Sequence, residues 1–414
     1  MEATVDSFRR RLQSPWLVED QGDFMAQFEQ DISCIQNLDT PEIIESTDAT
    51  IYLVRIFAAL ALGKPAFLVN PGWQQQEREQ FTALDLSQAP LGHLMIPTGG
   101  TGGTVKFVMH NWQTLTAAAE GYACFYDTAV VNAWCTLPLH HVSGLMQAVR
   151  SFVTGGQLLL ADYRDLDAHH EMDRSTFHLS LVPTQLRRIL EQKGGVDWLR
   201  GFGLILIGGA GMPEDLATHA RDEQLPLSPS YGMTETAAVV AAQKPTDFMA
   251  GHRLAGELLP HAHASITDGE VILHGQSLFR GYYPATPAPC ARFATGDDGE
   301  LDSEGHLLVH GRRDRFINTG GEKVDPRLVE TAICQLYPQA EVLVVGQPDA
   351  DWGERVMAIL SGFNQDDLPR LQQQLRAVLQ RHMLPRSWLV TDHLPLRPNG
   401  KVDTYALARC LNEA

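Results

Sequence analysis

Residues 98 to 106 read Thr-Gly-Gly-Thr-Gly-Gly-Thr-Val-Lys, and those types at that spacing suit the binding of a phosphate-like anion. Glycines let successive backbone N–H groups turn toward one anion with no Cβ in the way, the threonine hydroxyls add donors, and Lys106 brings a mobile point charge. The plain alternative is a solvated turn between a strand and a helix, following the apolar run Leu94 to Pro97. Lysine placement bears on the choice. The chain has lysines only at 64, 106, 193, 244, 323 and 401, and Lys106, Lys323 and Lys401 stand near glycines in loop-like sequence rather than on helical faces. Pro398-Asn399-Gly400 forces a turn that presents Lys401. At about 4 Å and an effective dielectric near 20, one such cation facing an anion is worth about 4 kcal/mol before desolvation.

Loops of this kind need a scaffold. From about residue 92 to 232, helical patterns (NWQTLTAAAEGYACFY, SGLMQAVRSFVTGG, TQLRRILEQ, PEDLATHARDE) alternate with strand-like runs (VVNAWCTLPL, QLLLAD, FHLSLVP, GLILIGGA, LPLSPSYG). That alternation predicts βαβ units and a mainly parallel sheet. Ligands of such sheets sit at the carboxyl ends of strands, so the turns at 98–104, 208–211 and 231–235 are expected to share a site. After residue 255 the pattern changes to short strands with DG and SEG turns, an antiparallel subdomain. From near Arg312 onward, alternating helix and strand patterns describe a small α+β domain. The first 90 residues show a helix and one clear strand, PAFLVN, without a nameable motif. The fold class is therefore α/β, with 1–313 as one domain and 314–414 as a second.

Composition narrows the function. A net charge of −18 with no basic cluster repels nucleic acid. The longest apolar stretch, residues 51 to 63, contains Arg55 and is too short for the roughly 18 residues of a membrane span. Six cysteines without CxxC spacing, and an N-terminus lacking the apolar core of a secretion signal, fit a reducing cytoplasm. His140, His169, His170, His261 and His263 come in pairs, but no third ligand stands at fitting spacing, so a zinc site is not expected.

Four further segments follow the glycine loop in order: LPLHHVSGL (137–145), SYGMTET (230–236), ATGDDGEL (294–301) leading into GRRDRFINTGGEKV (311–324), and PLRPNGKVD (395–403). Their types, order and spacing resemble the adenylate-forming superfamily of acyl-CoA synthetases, nonribosomal peptide adenylation domains and luciferases, over roughly residues 92 to 403. Within it, IPTGGTGG, LPLHHVSGL and INTGGEKV look most like the o-succinylbenzoate:CoA ligase family. The resemblance implies the adenylate-forming fold, a large N-terminal domain and a small mobile C-terminal one. It also implies ATP, Mg²⁺ and coenzyme A acting on a small-molecule carboxylate, with a homodimer as one expected assembly and menaquinone or phylloquinone biosynthesis as the pathway. The departures at Gly102, where a hydroxyl is usual, and Val105, where proline is usual, imply a looser cradle. The N-terminal region is shorter than is usual in the superfamily.

By that resemblance, Thr98, Gly99, Gly100, Thr101, Gly102, Gly103 and Lys106 hold the β- and γ-phosphates. Thr234 donates to the α-phosphate and Glu235 ligates Mg²⁺, because a hard cation bridging phosphates prefers carboxylate oxygen. Tyr231 and Gly232, with Gly209 and Ala210 of the GGAG turn, flank the adenine. Asp297 would accept from both ribose hydroxyls, supported by Arg312. Asp314 is the hinge, Gly320 and Gly321 let the pantetheine arm pass, and Lys401 serves adenylation. His141 gates the acyl pocket. Ser143 and Arg150 lie seven residues apart on one helix face, so Arg150 either meets a second carboxylate of the substrate or bridges to acidic surface. Local alternatives stand beside these roles: a helix N-terminal carboxylate for Glu235, a surface hairpin carboxylate for Asp297, an exposed salt bridge for Arg312, a capping or turn residue for Asp314, and a surface lysine for Lys401. Rival functions are another aryl- or acyl-CoA ligase, a carrier-loading adenylation domain, and a non-catalytic nucleotide-binding protein.

Overall fold

The computed structural model describes residues 3–37, 39–99, 105–167, 169, 171–251, 256–285, 287–288, 290–395 and 406–407. Its first ninety residues hold more regular structure than the sequence suggested. Helices α1 (Val5–Leu12), α2 (Gln21–Ile35), α3 (Ala49–Leu62) and α4 (Gln75–Thr82) accompany two short parallel strands, β1 (Glu42–Ile44) and β2 (Ala66–Leu68). Helix α3 has little apolar period to read because it is buried nearly all round from Tyr52 to Ala61, as a core helix is. Its limits are local: the Asp48 side chain accepts from the Ile51 N–H, and Gly63 ends it at φ 63°.

Strands β3 (His93–Gly99) and β4 (Val105–Asn111) form an antiparallel hairpin, so the glycine loop joins two strands rather than a strand and a helix. The predicted alternation follows: α5 (Trp112–Phe125), β5 (Asn132–Cys135), α6 (Val142–Thr154), β6 (Leu158–Leu160), β7 (Phe177–Leu181), α7 (Pro183–Leu190), α8 (Gly195–Arg200), β8 (Leu204–Ile207), α9 (Glu214–Asp222) and β9 (Leu227–Met233). These strands run parallel in the order β6-β5-β7-β8-β9. Every residue of β8, Leu-Ile-Leu-Ile, is buried, as expected of a parallel strand covered on both faces. Strands β10 (Ala238–Ala242) and, after α10 (Pro245–Met249), β11 (Glu257–Leu258) extend that sheet antiparallel.

The antiparallel subdomain is the hairpin β12 (Ala262–Thr267) and β13 (Glu270–Gly275). Next, β14 (Tyr282–Tyr283) returns to pair with β4, and β15 (Phe293–Leu301) and β16 (Leu307–Arg312) complete the sheet begun by the hairpin. Two compact units result, 1–295 with 299–309, and 296–298 with 310–414. The second contains β17 (Ile317–Thr319), β18 (Glu322–Val324), α11 (Pro326–Leu336), β19 (Glu341–Asp349), β20 (Gly353–Ser361), α12 (Leu368–Val378) and β21 (Ser387–Val390). A long β19–β20 antiparallel pair, with β21 parallel to β20, packs against α11 and α12. No described helix is long and apolar enough to cross a membrane.

The N-terminal helices have a positioning role. The Phe152 ring of α6 lies 4.9 Å from those of Phe8 and Trp16 and 4.7 Å from that of Phe57. Trp16 Nε1 donates to Ser151 Oγ at 2.9 Å, and Arg11 donates to the carbonyls of Phe152 (2.8 Å) and Gly156 (2.5 Å). Arg11 thus satisfies carbonyls at and beyond the C-terminal end of α6, where a helix has none of its own donors left.

Candidate active site

The β3–β4 hairpin sets Thr98 opposite Lys106, whose side chain is exposed. Its ammonium stands 6.0 Å over the Tyr282 ring, at the outer reach of a cation–π contact. The Tyr282 hydroxyl donates to Glu235 Oε1 at 2.7 Å. Glu235 occupies a single 3-10 turn, Thr234–Thr236, between antiparallel β9 and β10, so it is not at a helix N-terminus. The turn is fastened from several sides. Phe279 N–H donates to the Glu235 carbonyl (2.8 Å), and Arg280 N–H to the Met109 carbonyl of β4 (2.8 Å). Thr236 is fully buried, with its hydroxyl 2.6 Å from the Ala238 carbonyl.

His110, four residues along β4 from Lys106 and on the same strand face, is fully buried and 2.7 Å from the Thr234 carbonyl through Nε2. A carbonyl only accepts, so Nε2 carries the proton, while Nδ1 faces the Thr114 hydroxyl at 2.9 Å. Burial pulls His110 down to about 4, aided by the Arg280 charge and opposed by the Thr234 bond, and the ring is neutral near pH 7. One element pair therefore brings Lys106, Thr234 and Glu235 together. Tyr282 and His110, which hold them, were missed in the sequence. The even offset of His110 from Lys106 was the one available signal.

Gly232 precedes that turn and admits no side chain: a Cβ would stand 1.9 Å from the Ala238 carbonyl oxygen. Tyr231, half-buried, packs against the Val240 and Ala241 side of β10. The GGAG turn leaves the end of β8, with Gly209 at φ 83° and Ala210 exposed. A Cβ on Gly208 would stand 2.9 Å from Ser230 Oγ of the neighbouring strand β9.

Helix α6 begins at His141, its N-cap, whose ring lies 4.4 Å from that of His140. Ser143, the second residue of α6, is half-buried, and Arg150, two turns further, is only 4% exposed. Among the described residues no carboxylate pairs with Arg150, which corrects the alternative of a bridge to acidic surface. Its guanidinium lies 4.0 Å over the Tyr122 ring, and its Nε is buried without a hydrogen bond. Burial lowers its pKa, but an arginine remains a cation. Around it stand neutral groups. His178 and His261 are both pulled down to about 4 by burial and by the Arg150 charge, and Tyr122 is pushed up to about 12 by burial. The chemistry left open around Arg150, the floor of the acyl pocket the sequence led one to expect, is that of a buried cation without an anion.

In the second unit, Asp297 is 6% exposed, not the surface carboxylate of the alternative reading. Its Oδ1 lies 3.7 Å from the exposed Arg312 guanidinium, within ion-pair reach. Gly320 and Gly321, at φ 59° and 87°, form the two-residue loop between β17 and β18, where Thr319 faces Glu322. Positive φ at both positions is what that tight hairpin demands of any sequence. Lys323 proves to lie in strand β18, with its ammonium 4.2 Å from the Phe316 ring centroid, rather than in a loop. Asp314 sits in the turn Arg313–Arg315. Gly100, Thr101, Gly102, Gly103 and Lys401 lie outside the described residues, and of Gly99 only the backbone is described.

Comparison with known proteins adds an independent line. Residues 87–283 match the AMP-binding enzyme family and residues 328–401 the AMP-binding enzyme C-terminal domain. A 2-succinylbenzoate–CoA ligase of Listeria monocytogenes is 30% identical over 80% of this chain and 72% of its own length. The o-succinylbenzoate CoA synthetase of Bacillus subtilis, solved with its acyl-adenylate intermediate, superposes with a TM-score of 0.82 at 23% identity, covering 97% of both chains. The same synthetase with ATP and magnesium gives 0.81 at 23% identity, covering 97% of this chain and 98% of that one.

Proposed function

Since the chain belongs to the AMP-binding enzyme family, we propose that it is an AMP-forming acid–thiol ligase acting on o-succinylbenzoate. The acid's carboxylate attacks the α-phosphate of ATP, giving acyl-AMP and pyrophosphate, and the thiol of coenzyme A then displaces AMP. The single observation that carries the choice of acid is Arg150, a buried guanidinium with no carboxylate partner among the described residues. o-Succinylbenzoate keeps a second carboxylate after the first is adenylated. That remaining charge supplies the anion the floor lacks, in the bidentate form arginine favours.

Other residues take roles that follow from their surroundings. Lys106, on the strand that leaves the glycine loop, is exposed and shares Tyr282 with Glu235. In this reading the loop Thr98 to Gly103 and Lys106 cradle phosphate, and Thr234 donates its hydroxyl while His110 fixes its carbonyl. Glu235 is the carboxylate for Mg²⁺. One carboxylate suffices, because magnesium uses one or two plus substrate phosphates, and the described residues offer no group of three or more His, Cys, Asp or Glu for a fuller cage. Bound there, the ion would supply charge neutralisation at the phosphate oxygens. Tyr231, Gly232, Gly209 and Ala210 are assigned to the adenine, Asp297 and Arg312 to the ribose, and His141 and Ser143 to the acyl pocket mouth. Lys401 is assigned to adenylation, Gly320 and Gly321 to the pantetheine arm, and Asp314 to the hinge between an adenylating portion, 1–313, and a C-terminal portion, 314–414. A cytoplasmic homodimer serving menaquinone or phylloquinone biosynthesis completes the reading.

A pyrophosphate-exchange screen across carboxylic acids tests it, because only a true substrate drives rapid exchange. o-Succinylbenzoate is expected to lead. Faster exchange with another aryl or acyl acid would replace the proposed substrate, and exchange with no acid would return the chain to a nucleotide-binding role.

A further inference from the structure

Buried polar atoms in folded proteins are almost always hydrogen-bonded. Arg150 Nε and both ring nitrogens of His261 are exceptions among the described residues. His261 is 7% exposed, and the Val239 carbonyl near its ring does not meet hydrogen-bond geometry. The two side chains are neighbours by way of α5. Tyr122 carries the Arg150 guanidinium on its ring at 4.0 Å, and the residue before it, Gly121, faces His261. A Cβ on Gly121 would stand 2.0 Å from His261 Nδ1, so the absence of a side chain at 121 is what lets the imidazole seat there.

The other histidine near Arg150 is already engaged: His178 Nδ1 shares a 3.1 Å hydrogen bond with the Tyr122 hydroxyl. Tyr126 is engaged too, donating to Ser228 Oγ at 2.6 Å, since the Ser228 proton goes to the Gln243 carbonyl. His261 is therefore the nearby histidine with both ring nitrogens buried and neither engaged among the described residues. Neutral imidazole carries one N–H and one bare nitrogen, and beside a guanidinium the N–H is the half that an anion would use.

We infer that His261 is a specificity-determining residue, donating an N–H hydrogen bond to the same remote carboxylate that Arg150 pairs with. The inference rests on the proposed substrate and deepens it: the floor is built for a dicarboxylate, with a cation and a neutral donor converging on its far end. An acid lacking that carboxylate leaves both groups unpaired, the situation in which polar sites discriminate most strongly.

The test compares kcat and KM in pyrophosphate exchange for o-succinylbenzoate and for benzoylpropionate, the same skeleton without the ring carboxylate. His261→Ala is expected to raise KM for o-succinylbenzoate about 10-fold, the size of one hydrogen bond to a charged group, with kcat nearly unchanged and benzoylpropionate unaffected. Gly121→Ala, which displaces the ring while favouring the helix, is expected to show the same selective loss. His261→Asn and His261→Gln place an N–H near Nδ1 and Nε2 respectively, and one of them is expected to restore KM. Equal loss for both acids, no loss for either, or no recovery in both amide variants overturns the inference. A wild-type protein that activates neither acid overturns the proposed substrate instead.

Discussion

The turn around Glu235 and the floor around Arg150 are both lined by polar side chains, yet they are finished to different degrees. At the turn, the protein supplies the partners: Tyr282 for the Glu235 carboxylate, His110 for the Thr234 carbonyl, Ala238 for the Thr236 hydroxyl. At the floor, Arg150 Nε and both His261 nitrogens have none among the described residues. A self-satisfied network holds its geometry before any ligand arrives. An unsatisfied one is completed by what binds, because burial without a partner is costly. Damage at the turn should therefore slow every acid alike, whereas damage at the floor should depend on which acid is offered.

The largest expected effect is at the floor. Arg150→Met should lower kcat/KM for o-succinylbenzoate by about 10³-fold, the scale for losing one partner of a buried charge pair, and barely change benzoylpropionate. Similar losses for both acids in exchange kinetics would erase the contrast. Next comes a group that should ignore acid identity. Lys401→Ala should cut adenylation about 10²- to 10³-fold for any acid and spare thioester formation from supplied acyl-AMP. Equal loss in both half-reactions would remove its assigned role.

Acid reaches both regions through their histidines. His110, His140, His178 and His261 are each pulled to about 4 by burial. Below an ordinary value near 6.5, the unfolded chain takes up protons that the folded chain refuses until about pH 4. Stability present above pH 6.5 should thus be lost as pH falls toward 4, by up to about 3 kcal/mol for each histidine. Urea melts at successive pH values read this directly, and His261→Gln should flatten the slope. The smallest effect tests the turn: Tyr282→Phe should raise the Mg²⁺ requirement and lower kcat about 10-fold, alike for both acids. A loss confined to one acid would mean the turn senses the substrate too.

What the sequence made legible follows from how local each signal is. The alternation from α5 to β9 could be read because each element carries its own periodicity and turn residues, and the order of motifs pointed to Lys106 and Glu235, which stand on either side of Tyr282. The N-terminal region was legible only as one helix and the strand at 66–68, for two reasons. Helix α3 is buried on nearly every face, and β1 is a three-residue strand paired to its neighbour β2. Tyr282 lies in a two-residue strand, 47 positions from the carboxylate it holds. His261 looked like half of a histidine pair with His263, but His261 is buried and His263 exposed. Nothing in the spacing could reveal that a glycine at 121, on another helix, makes room for one of them.

The most direct measurement supplies o-succinylbenzoate, ATP, Mg²⁺ and coenzyme A to the full chain and follows AMP and thioester together. The account predicts both products in equal amounts, with neither appearing when the acid is omitted. No AMP from o-succinylbenzoate under conditions where another carboxylic acid releases it would contradict the account.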